Sequence, residues 1–309
     1  MRKYWIQIVA ATVLSVVFIV FPLFLSKGWL HILIVMLFNI IYTIGFWVIM
    51  RMGYLSFGHA AYVGIGGYTS AILTTMLNVP VFISIPISGV VAAAIGFGIG
   101  KITLQLRGIY FSITVFAFGE VLKTLWLTFN KPFGGPQGIW GIPRPSLFGF
   151  KFATHISYYY LILFFFVLVF FFLRSLDRSH FGFTCLGFKT KETELLAQSV
   201  GIDTSLYKNI SFSISCLIPG MAGALYAHYF NYISPFVFTF ALSTDIVVYS
   251  MVGGTANIFG PVIGAGILTI ASELAFAAGY YRSLLFGVLL LVVILVLPNG
   301  LLGLFRKGR

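Results

Sequence analysis

The chain has 309 residues, of which 60% are hydrophobic, 34 are phenylalanine and only seven are acidic. A mean hydropathy of +1.03 excludes a soluble domain, which would have no water-facing surface to offer, and describes a polytopic membrane protein. The formal charge of +12 comes from basic residues at segment ends, so it reports topology; a nucleic-acid surface would gather them on one face.

Residues 1–29 combine a basic start with an apolar run too long for the core of a signal peptide, and they lack a clear small-x-small cleavage site. They are expected to remain as the first span. Apolar runs from Trp29 to Met50, residues 53–77, Pro80 to Gly100 and Gly108 to Phe129 give spans two to five. The turn-rich stretch 130–151 leaves the membrane, and the Phe-rich residues 155–173 return as a sixth span. Ile210 to Tyr229 is a seventh. Phe236 to Val252, Pro261 to Ala278 and Ser283 to Leu297 are shorter and broken by glycine; a re-entrant pair within 236–278 is an alternative to two crossings. Counting all three gives about 10 transmembrane helices in a single membrane-embedded domain, residues 1–309, of all-α class.

Charge orients this arrangement. With the N-terminus and C-terminus both in the cytoplasm, Arg51, Lys101, Arg107, Arg174, Arg178 and Lys208 fall on the cytoplasmic side with the basic residues of both termini, against only Lys27, Lys131, Arg144, Lys151 and Arg282 outside. Residues 174–209 are then a cytoplasmic loop. They carry nine charged residues, and in KETELLAQSVGI the residues Leu195, Leu196, Ala197 and Val200 recur at helical spacing before Gly201, where a helix would stop. Such an amphipathic helix can lie in the headgroup layer, link two spans, or dock into a soluble partner.

Polar residues at membrane depth are few. Glu120 has Lys123 three positions on, where the two can pair on one helix face, and Asp245 interrupts an apolar run. Each can line a route, hold helices together, or sit nearer the interface. His59 and His228 read as buried helix contacts, since neither has a carboxylate or second histidine at metal spacing, and no metal ligands are expected. Cys185 and Cys216 read as packing residues. No catalytic motif is present: FGIGKIT at 97–103 lacks the phosphate-loop spacing, and there is no nucleophile elbow or metalloprotease helix. The chain is expected to bind no cofactor of its own and to be no enzyme, so uphill transport would draw on an ion gradient or another subunit.

Several stretches, taken in order, carry a resemblance: GYLSFGHAAYVGIGGYTSAIL (53–73), LRGIYFSITVFAFGEVLKTL (106–125), GGPQGIWGIP (134–143), ELLAQSVGI (194–202), the long run from Pro219 to Ala265, and LLFGVLLLVVILVLPNGLLGL (284–304). The chain resembles the membrane permeases of ATP-driven branched-chain amino acid importers, in particular the larger of the two paired permeases. The combination of LSFGHAAYVGIGGY with MVGGTANIFGPVIGA is the specific part. The resemblance implies a bacterial inner-membrane protein, a second related permease, an external or periplasmic binding protein, and two cytoplasmic ATPase subunits that use ATP and Mg. It also implies that the amphipathic helix couples to the ATPase: Glu194, Ala197 and Gly201 match the glutamate, alanine and glycine of that pattern, with Leu195 and Leu196 in place of smaller residues and Ile202 following. Burial of the apolar face in the partner would leave Lys189, Lys191, Glu192 and Glu194 around the rim. The implied substrate is leucine, isoleucine or valine. Urea or a short amide, a self-contained secondary transporter, and a non-transporting scaffold are the rival readings.

Overall fold

The computed structural model describes residues 21–276 apart from Phe148 and Lys189, and also Gly287. Most of the first expected span, all of the tenth but Gly287, and both terminal segments used in orienting the chain lie outside the described residues. The main helices are α1 (Lys27–Met50), α2 (His59–Thr75), α3 (Val81–Thr103), α4 (Ile109–Thr128), α5 (His155–Arg178), α6 (His180–Leu186), α7 (Lys191–Ser199), α8 (Thr204–Phe230), α9 (Phe240–Gly253) and α10 (Phe259–Phe276). Among the described residues six helices are long and apolar enough to cross a membrane, one of them α9 taken with the 3-10 turn before it. The protein is a mostly helical, multi-pass membrane protein.

The long helix α8 is the axis of the bundle, and α1, α2 and α3 pack along it. Small residues on the facing helix surfaces make this possible. A Cβ on Gly66 would lie 1.9 Å from the carbonyl oxygen of Gly220, and one on Gly223 would lie 2.0 Å from that of Val63, so α2 and α8 meet backbone to backbone. The same device joins α9 to α10 through Gly253, Gly260 and Gly264.

Two expected spans are only partly helical. Residues 53–58 enter the bundle from the end marked by Arg51, Lys101, Arg107 and Lys208, called here the basic end, without forming a helix; α2 starts only at His59. Gly53 takes a φ of +83°, and a Cβ on Gly58 would strike the Val115 carbonyl of α4, so glycine is required at both. Backbone polar groups in such a segment need partners in place of helical ones. Ser112 donates to the Leu55 carbonyl at 2.6 Å, and Ser56 Oγ meets His59 Nδ1 at 2.8 Å. From the opposite end, residues 231–239 descend after α8 through a two-residue strand, Tyr232–Ile233, and a 3-10 turn, Pro235–Val237, and α9 starts only at Phe240. The two strands β1 (Ile139–Trp140) and β4 (Tyr232–Ile233) pair at that end, while β2 (Ser146–Leu147) and β3 (Phe150–Lys151) form a small hairpin in the expected loop. The two helix starts meet inside the bundle, where the Ala60 amide donates to Ser243 Oγ at 3.0 Å.

The turn between α9 and α10 lies at the basic end, since Trp47 Nε1 donates to the Thr255 carbonyl at 2.9 Å four residues before Arg51. Residues 231–253 therefore run from one end of the bundle to the other, and α10 runs back. The segment looked short because its first part is not α-helical, and both its strand, at about 3.3 Å per residue, and its 3-10 turn, at about 2.0 Å, rise faster than the 1.5 Å of an α-helix.

The expected cytoplasmic loop also needs correction. The sixth span does not stop at residue 173: α5 continues to Arg178, where Asp177 pairs with Arg51. The seventh starts six residues before Ile210, at Thr204, with the Asp203 side chain accepting from the Leu206 amide as N-cap. Lys208 and Asn209 are consequently buried helix residues.

Candidate functional site: a clamped helix at the basic end

Helix α7 is a locally well-specified element. Thr190 caps its N-terminus in a reciprocal pair with Thr193, and Glu192 and Glu194 occupy the first turn, where they complement the helix dipole. At its other end Gly201 has a φ of +85°, the Gly201 amide donates to the Gln198 carbonyl and the Ile202 amide to that of Ala197. This is the paired closure that a left-handed residue allows, so the stop read from Gly201 is where the helix ends.

The helix has two unlike edges. Leu195, Leu196 and Val200 are 55%, 66% and 75% exposed, whereas Ala197 and Ile202 pack against the bundle core. Glu194 does not stand at the rim as the sequence reading had it. Its carboxylate points inward, 6% exposed, and accepts from Lys208 Nζ at 2.5 Å and from Thr204 Oγ1 at 3.3 Å, with Arg107 paired to its other oxygen. Lys208 also reaches the Tyr54 hydroxyl at 3.3 Å, which in turn donates to the Leu104 carbonyl at 3.2 Å. One carboxylate thus joins α7 to α8, to the loop between α3 and α4, and to the non-helical entry before α2. The reason for its inward turn is elementary: the buried Lys208 ammonium would be costly without a carboxylate. Glu192 remains exposed.

The polar residues of the spans are distributed differently. Glu120 pairs with Lys123 at 3.4 Å, as the three-residue spacing predicts. By rise per residue the pair lies about 17 Å from the start of α4, near the middle of a bilayer, yet the Glu120 side chain is 39% exposed. Asp245 is half-buried in the second turn of α9. His59 is fully buried; its Nε2 lies 3.3 Å from Ser215 Oγ, and it also meets the Ser215 backbone. Pro219, four residues on in α8, has no N–H to offer that carbonyl, so His59 fills a vacancy made by a proline. His228 is likewise buried, between Ser70 Oγ at 2.7 Å and the Pro143 carbonyl at 2.6 Å. Cys185, in α6, lies 3.2 Å from Ser211 Oγ, and burial pushes its thiol pKa up, which suits a packing residue. Among the described residues no cluster of three His, Cys, Asp or Glu side chains is placed to hold a metal ion.

Arg107, Lys208, Thr204 and Tyr54 are the functional-site residues that sequence reasoning missed. The two cations entered it only as topology markers, and nothing local connects positions 54, 107, 194 and 208.

Comparison with known proteins fits this architecture. Residues 28–297 match the family model described as the branched-chain amino acid transport system / permease component. The chain is 30% identical to the high-affinity branched-chain amino acid transport system permease protein LivM of Salmonella typhimurium, over 95% of this chain and 74% of that protein. It is also 30% identical to LivM of Escherichia coli K12, over 98% and 76%, and 31% identical to the LivH permease of that strain over 35% of each chain. No solved structure matches. With six helices among the described residues long and apolar enough to cross a membrane and nearly the whole length matched, the chain belongs to the family of branched-chain amino acid transport permease components.

Proposed function

We propose that this protein is a permease subunit for branched-chain amino acids, forming half of the translocation pathway of an ATP-driven importer in a bacterial inner membrane. The observation that carries the mechanism is the two-edged α7: one edge is fixed to the bundle by Glu194, and the other offers Leu195, Leu196 and Val200 to solvent. Exposed leucines on a short helix otherwise fully committed to its own fold suit a groove in a soluble partner, and we assign them to an ATPase subunit. The basic end, bearing α7, faces the cytoplasm in this reading, as its charge favours, and both termini lie there too.

Force applied to α7 would pass through Glu194 to Arg107 and Lys208, hence to α4 and α8. On α4 the half-exposed Glu120–Lys123 pair would be costly against lipid. We assign that face to contact with a second permease along the substrate route. Substrate would reach the route from an external binding protein, and this chain would take no part in ATP chemistry.

Leu196→Asp tests the coupling assignment. The substitution is solvent-exposed in this chain, so insertion and pairing with the second permease should be unchanged. Burying its charge against the ATPase should cost several kcal/mol, on the order of 2–7 for an uncompensated polar group. Affinity capture of the permease should then recover little ATPase, and ATP-dependent uptake should fall with it. Full recruitment and full uptake would remove α7 from the coupling role and leave it a surface or linker helix.

A further inference from the structure

A second feature of the basic end lies where the end of α5 faces the start of α10. An open groove of about 710 Å³ runs between the last two turns of α5 and the start of α10. Its walls change character along α5: Phe170 and Phe171 line one part, with Phe259 across from them, and Arg174, Ser175, Arg178 and Ser179 line the other. Arg174 lies 5.4 Å from the Phe259 ring centroid, a cation-π arrangement. Neither Arg174 nor Arg178 has a carboxylate partner among the described residues, because Asp177, between them in sequence, is engaged by Arg51.

Two arginines one helical turn apart, with the Ser175 hydroxyl beside them, form a site for a phosphate oxyanion, while the Ser179 hydroxyl stays committed to the Leu176 carbonyl and the Gly182 amide. What distinguishes a lipid phosphate from a free one is the remainder of the surface. The exposed residues Phe164, Leu168 and Phe171 continue from the groove along α5 as an apolar stripe, away from the arginines and into the depth of the bilayer. An acyl chain would lie against that stripe while its headgroup meets the arginines at the level where the span ends. Inorganic phosphate would use only half of the site.

We propose that this groove binds an anionic phospholipid, with Arg174 and Arg178 on the headgroup phosphate and the phenylalanines against the first part of an acyl chain. The proposal stands on the membrane-spanning character of the chain and is independent of the substrate.

The test uses the full permease complex in nanodiscs of phosphatidylcholine containing a minor fraction of phosphatidylglycerol. After detergent capture of the complex, co-purifying phosphatidylglycerol is counted by native mass spectrometry for the wild type, R174Q/R178Q and R174K/R178K. Wild type should retain about one more phosphatidylglycerol per permease than R174Q/R178Q, in keeping with a single basic site. The lysine variant, which keeps charge, should recover much of it, and inorganic phosphate in excess should not displace it. A loss of assembled complex in R174Q/R178Q is met by a second measurement on the wild type alone: phosphatidylglycerol should raise its thermal-aggregation midpoint more than phosphatidylcholine does. Equal retention by all three forms, or equal midpoints in the two lipids, would overturn the proposal. Displacement by inorganic phosphate would make the groove a soluble-anion site and overturn it as well.

Discussion

Replacing Glu194 with leucine removes the carboxylate shared by Lys208, Thr204 and Arg107. The two cations lose very different amounts. The Arg107 side chain is 41% exposed and can turn to water, so its share is that of a surface pair, about 0–1 kcal/mol. Lys208 is 9% exposed and is left with the Tyr54 hydroxyl alone; removing one partner of a buried pair costs on the order of 3–5 kcal/mol. Part of that is recovered if the lysine extends to water at the basic end, so a loss of about 3 kcal/mol in the seating of α7 is expected. The loss is local, because the glycine-packed contacts of α2 and α8 are untouched. It would read as about a 100-fold increase in amide hydrogen exchange over residues 190–202, at 1.4 kcal/mol per tenfold, in the assembled complex, together with reduced coupling of ATP hydrolysis to uptake. Adding Lys208→Met removes the stranded cation, and the double variant should exchange more slowly than Glu194→Leu alone, since an apolar pair can replace a buried ionic one at little cost. Unchanged exchange in Glu194→Leu, or no relief in the double variant, would refute the clamp.

Other substitutions separate packing from charge. Gly66→Ala places a Cβ 1.9 Å from a carbonyl oxygen that cannot move aside. Overpacking of about 1–3 kcal/mol should follow, seen as a lower thermal-aggregation midpoint, while Gly98→Ala, which meets nothing within 4 Å, serves as a control that should leave it unchanged. Glu120→Gln should keep most of the assembled permease and Glu120→Leu less of it, as measured by recovery of both permeases from the membrane. Normal assembly in both, with altered substrate selectivity, would put Glu120 on substrate instead of on the helix pair.

The sequence made some of this legible and hid the rest for definable reasons. Helical period and Gly201 located α7 almost to the residue, since both are local. The Glu120–Lys123 pair was visible for the same reason, being confined to one turn of one helix. Composition marked the apolar segments, but it could not mark where their helices begin and end or where helix gives way to irregular backbone inside the bundle. Residues 53–58 and 231–239 are as apolar as the helices they precede, and only contacts with α4 and α2 make their irregular paths tenable. Glu194 shows the limit most clearly. Its spacing fits a solvent-facing rim as well as an inward clamp, and the choice depends on Arg107 and Lys208, which the fold brings to it from positions 87 before and 14 after.

The late start of α9 bears on how the chain enters the membrane at all. Its 14 residues reach about 21 Å, short of the roughly 30 Å of hydrocarbon, and Asp245 adds about 2.5–3.5 kcal/mol to the cost of partitioning such a segment near its centre. Taken alone, α9 is a weak membrane insert. Its neighbour α10 has 18 residues, no charge before Glu273, and glycines that accept α9 at backbone distance across a five-residue turn. We expect the translocon to release the two as one preformed hairpin. Glycosylation mapping of truncated chains should therefore find α9 unintegrated until α10 has been synthesised.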